Sequence, residues 1–124
     1  MLVLMVDTAG STGGVLLARI GLPGTAEVLG EGGLETRAFS TQLIPSVGKL
    51  LHDNDLAVGD VDAFAVVAGP GSFTGLRVGI SAVKAMAEVT ARPVMAVSRL
   101  AMMAAADDSA GTETRHAVLD AGRG

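Results

Sequence analysis

The sequence predicts an α/β domain on a mixed sheet, with an antiparallel three-strand meander followed by parallel strands and helices. Three features carry that expectation. Apolar runs at 2–6, 15–20 and 26–29 are separated by short glycine-bearing turns, the spacing of neighbouring antiparallel strands. A further apolar run, Phe64 to Ala68, comes only after a helical stretch long enough to bring it in parallel. That run stops at Gly69-Pro70-Gly71, and a helical pattern opens directly behind it.

Each element follows from its residues. Leu2-Val3-Leu4-Met5-Val6 is continuously apolar, which suits a strand covered on both faces. It ends in the polar, glycine-rich turn Asp7-Thr8-Ala9-Gly10-Ser11-Thr12-Gly13-Gly14. Val15 to Ile20 is the second strand, Gly21-Leu22-Pro23-Gly24 a turn, and Ala26 to Leu29 the third strand. Glu31 to Phe39, polar and glycine-containing, reads as a loop. Ser40 is placed to cap a helix whose apolar residues Leu43, Ile44, Val47, Leu50 and Leu51 recur at three- and four-residue steps. Pro45, early in that helix, removes one backbone donor. Asp53-Asn54-Asp55 and Val58-Gly59-Asp60 connect it to the strand at 62–68.

The next helix, about Thr74 to Val89, is capped by Ser72 or Thr74. Arg77, Ser81, Lys84 and Glu88 make one narrow polar stripe, and apolar residues from Leu76 to Val89 fill the remaining circumference. A helix so apolar in so short a chain is expected to be covered by another polypeptide. Gly71, Gly75 and Gly79, at every fourth position, permit close backbone approach. Ala91-Arg92-Pro93 ends the helix, and Val94 to Val97 reads as a short buried strand. Ser98 caps a helix from Arg99 to Ala106, in which Met102 and Met103 are core fillers. Asp107 to Thr114 is a polar loop, and His116 to Leu119 begins a strand leading to a turn at Gly122-Arg123-Gly124. Residues 1–124 are thus expected to be the first lobe of a longer two-lobe protein.

Composition excludes several classes. A net charge of −4 and the absence of Trp and Tyr oppose unaided binding of nucleic acid. There is no cysteine, hence no disulfide or thiolate metal site. His52 and His116, the two histidines, do not form a His-x-x-x-His pair, so no transition-metal site is expected within this chain. The first residues lack the basic and apolar regions of a signal peptide, and no apolar run is long enough for a bilayer. A cytoplasmic protein with no membrane contact is the expectation. Ser72 does not stand in a Gly-x-Ser-x-Gly elbow, which argues against a serine nucleophile.

The stretch Val66 to Arg77, a tight turn from strand to helix with free N–H groups, is a place to bind something or simply a turn the chain geometry needs. A Walker loop requires Lys-Ser/Thr after its last glycine, and none follows Gly75. A dinucleotide fingerprint requires its third glycine one residue earlier than Gly75. Its acidic residue is replaced by Ser98-Arg99, a pair suited to a ribose phosphate. Asp7 likewise has two readings: a turn carboxylate that caps nearby N–H groups, or a group holding metal or water beside phosphate.

Gly69-Pro70-Gly71-Ser72-Phe73-Thr74-Gly75-Leu76-Arg77-Val78-Gly79 resembles the signature of the bacterial TsaB (YeaZ) family. Met5-Val6-Asp7-Thr8, Ser40 to Leu51, Pro93 to Ser98 with Leu100, and Val118 to Gly124 agree with that family in order. Phe39 stands where the family usually has His. The resemblance implies an actin/Hsp70-like (ASKHA, ribonuclease H-like) fold. It also implies a non-catalytic subunit of the machinery that makes threonylcarbamoyladenosine in tRNA. Such a subunit binds and stabilises a TsaD-type catalytic subunit, which transfers threonylcarbamoyl to a tRNA adenosine next to the anticodon.

A TsaE-type ATPase, ATP and a metal ion are then used by the complex, with no cofactor held by this chain and tRNA reached only through the complex. Alone, the protein is expected to be a homodimer. The implied partner interface comprises Leu43, Val47, Leu50 and Leu51 on the first helix, with Leu76, Gly79, Ile80 and Val83 on the second. The implied signature loop is Gly69, Pro70, Gly71, Ser72, Phe73, Thr74, Gly75 and Arg77. Asp7, Thr8, Ser11 and Thr12 would be a vestigial nucleotide turn. The older "glycoprotease" label of such proteins does not carry over, because the paired histidines of the metallopeptidase-named relatives are missing. Two other readings stay open: an actin-like ATPase or phosphotransferase using Asp7 and Thr8, and a homodimeric phosphate or dinucleotide module at Gly69 to Gly75.

Overall fold

A computed structural model describes residues 1–106 and 116–119. The elements are β1 (Leu2–Asp7), β2 (Thr12–Ile20), β3 (Ala26–Glu35), α1 (Phe39–His52), β4 (Ala63–Gly69), α2 (Phe73–Thr90), β5 (Val94–Ser98) and α3 (Arg99–Ala105). They build one sheet of order β3-β2-β1-β4-β5. β1, β2 and β3 pair antiparallel, whereas β1 with β4 and β4 with β5 pair parallel. The meander and the crossover are therefore as the sequence predicts.

Register follows from which residues the core needs. Leu4 lies opposite Leu17 and Phe64, and Val6 opposite Val15 and Val66. These alternate positions share one face. On that face Leu43, Val47, Leu50 and Leu51 of α1 and Val83 and Ala87 of α2 complete the main core. The intervening positions Val3, Met5, Ala63, Ala65 and Val97 make a smaller cluster on the other face.

Several boundaries differ from expectation. β3 continues through Glu35, where residues 31–35 read as loop. Gly30, just before that stretch, makes room for α1, since a Cβ on it would lie 2.7 Å from Leu50 Cδ1, while Gly32 and Gly33 pair with Val15 and Gly14 of β2. α1 begins at Phe39 with Ala38 as its N-cap and no capping side chain, so Ser40 sits inside the first turn. Among the described residues β5 is an exposed edge strand, not a buried one; it pairs there with β4 alone and leaves Met95 51% exposed. Met103 also faces solvent. His116 to Leu119 has no strand assignment. The expected loop at 107–114 and turn at 122–124 lie outside the described residues.

α2 corrects a larger expectation. Gly75, Gly79, Val83 and Ala87 lie buried at four-residue steps. Val78, Ile80, Ala82 and Met86 on its flanks pack against the same core. With Arg77, Ser81, Lys84 and Glu88 outward, most of the apolar circumference is covered by the chain itself. The physical reason is lateral: α1 and the 58–60 turn both pack beside α2, giving it more walls than a sheet alone would.

Candidate functional site

β1 and β4 end side by side, and the turns that follow them are clamped together. The Asp7 carboxylate accepts the Ala9 N–H at 2.9 Å, closing the first turn of that loop. Thr8 is completely buried, and its Oγ1 donates to the Gly75 carbonyl at 2.6 Å. The Ser72 N–H donates to the Ala9 carbonyl at 2.9 Å. Ser72 is also the N-cap of α2, its Oγ accepting the Gly75 N–H at 3.3 Å.

The glycine spacing of the signature follows from this clamp. A Cβ on Gly71 would overlap the Ala9 carbonyl, one on Gly75 the Thr8 carbonyl, and one on Gly79 the Thr8 hydroxyl. Helix α2 thus lies against the β1 turn backbone to backbone, along one stripe. Phe39 closes the contact from the side. It is buried, and its ring would meet a Cβ on Gly13 at 2.7 Å and one on Gly75 at 3.3 Å.

The four residues expected to form a nucleotide turn lie in or beside the short connection from β1 to β2. Thr8 is spent on the Gly75 carbonyl. Asp7 and Thr12 border a cavity of about 610 Å³ with Met5, Glu31 and Met102. Ser11 borders a different one, of about 830 Å³, with Pro70, Gly71, Ser72, Arg99 and Leu100. Among the described residues no three His, Cys, Asp or Glu side chains are grouped to hold a metal. Elsewhere in the signature, Gly69 has φ of 120°, a conformation only glycine takes readily. Phe73 is 74% exposed with the Arg77 guanidinium 5.3 Å from its ring centroid, a surface cation–π pair.

The residues expected at a partner interface divide. Leu43, Val47, Leu50, Leu51, Gly79 and Val83 are buried inside this chain, and Leu76 and Ile80 are half-buried. Their helical spacing reports the chain's own core. On α1 Thr41, Ile44, Pro45, Gly48 and His52 are exposed, and on α2 so are Phe73, Arg77, Ser81 and Val89. Ile44, 54% exposed, is the apolar centre of the α1 group. It carries the same apolar signal as Leu43, and only the phase of the helix distinguishes them. Among the described residues no helix is long and apolar enough to cross a membrane.

A mixed five-strand sheet of this order, with its helices and its clamped β1 and β4 turns, defines an actin-like, ribonuclease H-like α/β domain. RuvC of Thermus thermophilus shows the same fold, with a TM-score of 0.58 at 18% identity over 81% of this chain and 65% of that one. The family model for TsaD, tRNA N6-adenosine threonylcarbamoyltransferase, matches residues 33–124. The Bacillus subtilis tRNA threonylcarbamoyladenosine biosynthesis protein TsaB is 35% identical over 105 residues, 85% of this chain and 44% of its own. YeaZ from Pseudomonas aeruginosa superimposes with a TM-score of 0.71 at 35% identity, covering 84% of this chain and 48% of that one. The chain belongs to the family that this model describes and, within it, to the TsaB (YeaZ) branch. It spans about half the length of the TsaB and YeaZ relatives it matches.

Proposed function

We propose that this chain is the first lobe of a non-catalytic subunit in the biosynthesis of threonylcarbamoyladenosine in tRNA. Its task is to bind a TsaD-type catalytic subunit through the outer faces of α1 and α2. The observation that carries this reading is the division of the two helices. Most of their long apolar side chains are consumed by the chain's own core, while Ile44, Phe73 and Val89 stay outward among the small residues Thr41, Gly48 and Ser81. Small side chains let a facing helix approach closely, and one aliphatic residue in the centre supplies an anchor.

The likeness to the TsaD model over residues 33–124 supports the choice of partner, because that stretch contains both helices. A TsaD-type subunit would carry counterparts of α1 and α2, and like faces would meet about a two-fold axis. The same surface accounts for a homodimer when the partner is absent. Docking would order the partner's site, where threonylcarbamoyl is moved onto the tRNA adenosine. ATP, a metal ion, a TsaE-type ATPase and tRNA belong to the complex, not to this chain. Co-elution of the TsaD-type subunit with the wild-type protein, lost on Ile44→Asp, tests the reading. Co-elution of the variant at unchanged affinity would refute it.

A further inference from the structure

The two edges of the sheet are finished differently. β3 carries Glu27, Glu31 and Glu35, all exposed, and charges along an edge strand discourage further pairing. β5 has neither a charge nor a proline between Val94 and Ser98. Its backbone is open as well. The Phe64 N–H donates to the Pro93 carbonyl at 3.0 Å, and backbone groups alternate in direction along a strand. The N–H and C=O groups of Val94 and Ala96 therefore point away from β4, where no other strand lies among the described residues.

The main core runs out at the same edge. Leu17, Leu4, Phe64 and Val94 lie side by side across the sheet; the first three are fully buried and Val94 is 42% exposed. In the next row Val15, Val6 and Val66 are buried while Ala96 is exposed. α2 walls this strip on one side. Its Leu76 and Ile80, both half-buried, and Lys84 recur at four-residue steps and share one flank. A Cβ on Gly79 would face Thr8 and, on β1, Val6. Leu76 instead lies 3.3 Å from where a Cβ on Gly69 of β4 would stand, so its flank is the one turned toward β5.

Charge decides what kind of strand fits. From Ala63 to Ala106, Arg77, Lys84, Arg92 and Arg99 are opposed by Glu88 alone, and every other acid of the described residues precedes Ala63. Lys84 stands on the flank beside β5, and Arg92 just before the strand begins. Both are exposed, with no ion pair among the described residues. Open backbone groups, an apolar strip and a basic rim together fit an extended segment in which aliphatic and acidic residues alternate.

We propose that β5 is a docking edge for such an acidic segment of a partner protein, which adds to the sheet beside Val94 and Ala96. Its aliphatic side chains cover the strip between β5 and α2, and its carboxylates meet Lys84 and Arg92. None of these residues belongs to the outward faces of α1 and α2 used for docking the TsaD-type subunit, so the two proposals stand separately.

A fluorescein-labelled peptide alternating valine with glutamate, titrated into the purified protein at low salt and followed by fluorescence anisotropy, tests it. This peptide is expected to bind roughly tenfold more tightly than its lysine counterpart. The double variant Lys84→Glu with Arg92→Glu should reverse that preference. Ala96→Pro removes an outward donor at a position where an edge strand tolerates proline, and should weaken binding by roughly tenfold. Hydrogen exchange at the Val94 and Ala96 amides of the wild type should slow when the peptide is added. Co-elution with the TsaD-type subunit should be unchanged in Ala96→Pro, which separates this test from that of the helices. Equal affinity for the two peptides, or binding that leaves both amides unprotected, would overturn the proposal. So would self-association of the protein alone that Ala96→Pro abolishes, because the edge would then be taken by the acidic β3 of a second copy.

Discussion

Thr8 and Gly75 are joined by a buried 2.6 Å hydrogen bond, from the threonine Oγ1 to the glycine carbonyl, across most of the described chain. This bond fastens the end of the central strand to the first turn of α2. Removing the hydroxyl at nearly constant volume isolates it. Thr8→Val is expected to lower the unfolding free energy by about 1 kcal/mol, measured by urea denaturation, with the midpoint shifted and the slope unchanged.

Two glycine-to-alanine changes in helices should have opposite signs. Gly75→Ala places a methyl group on the Thr8 backbone carbonyl, and neither partner is a flexible side chain that can swing away. Overpacking of this kind costs about 1–3 kcal/mol, which exceeds the gain of roughly 0.5–1 kcal/mol from replacing a helical glycine. Gly48 in α1 has open space where its Cβ would be, so Gly48→Ala should add about 0.5–1 kcal/mol. Thermal unfolding of the two variants beside the wild type checks both signs.

Phe39 fills the junction of β2, α1 and α2. Phe39→Ala leaves a cavity against Gly13 and Gly75 that backbone cannot close, and should cost about 3–5 kcal/mol. That is a large part of the stability of an ordinary domain. A loss below about 1 kcal/mol in urea denaturation would show that the ring is not a principal contact.

The sheet was legible because apolar runs and glycine turns mark strands directly, and the length of the crossover settles parallel pairing between β1 and β4. What the sequence hid was the purpose of its glycines. At 31–35 Gly32 and Gly33 resemble loop punctuation, yet they pair with β2 in a continuing strand, and Gly30 before them makes room for Leu50. At Gly71, Gly75 and Gly79 they resemble a ligand loop or a surface for another chain, yet they accommodate Thr8 and Ala9. A missing side chain says that something lies close, without saying whether it is ligand, partner or the same chain. The burial of Leu43, Val47, Leu50 and Leu51 was hidden for a related reason. Leu43 and Ile44 are adjacent and equally apolar, and only the tertiary position of α1 decides which of them is buried.

The most direct test concerns the outer stripe of α1 and α2. Ile44→Asp and Ser81→Arg change exposed side chains, so each should leave unfolding within about 0.5 kcal/mol of the wild type. Calorimetric titration of the combined variant with the TsaD-type subunit should show affinity at least a hundredfold weaker than that of the wild-type protein. Wild-type affinity in a variant that is folded and carries both changes would contradict docking through these helices.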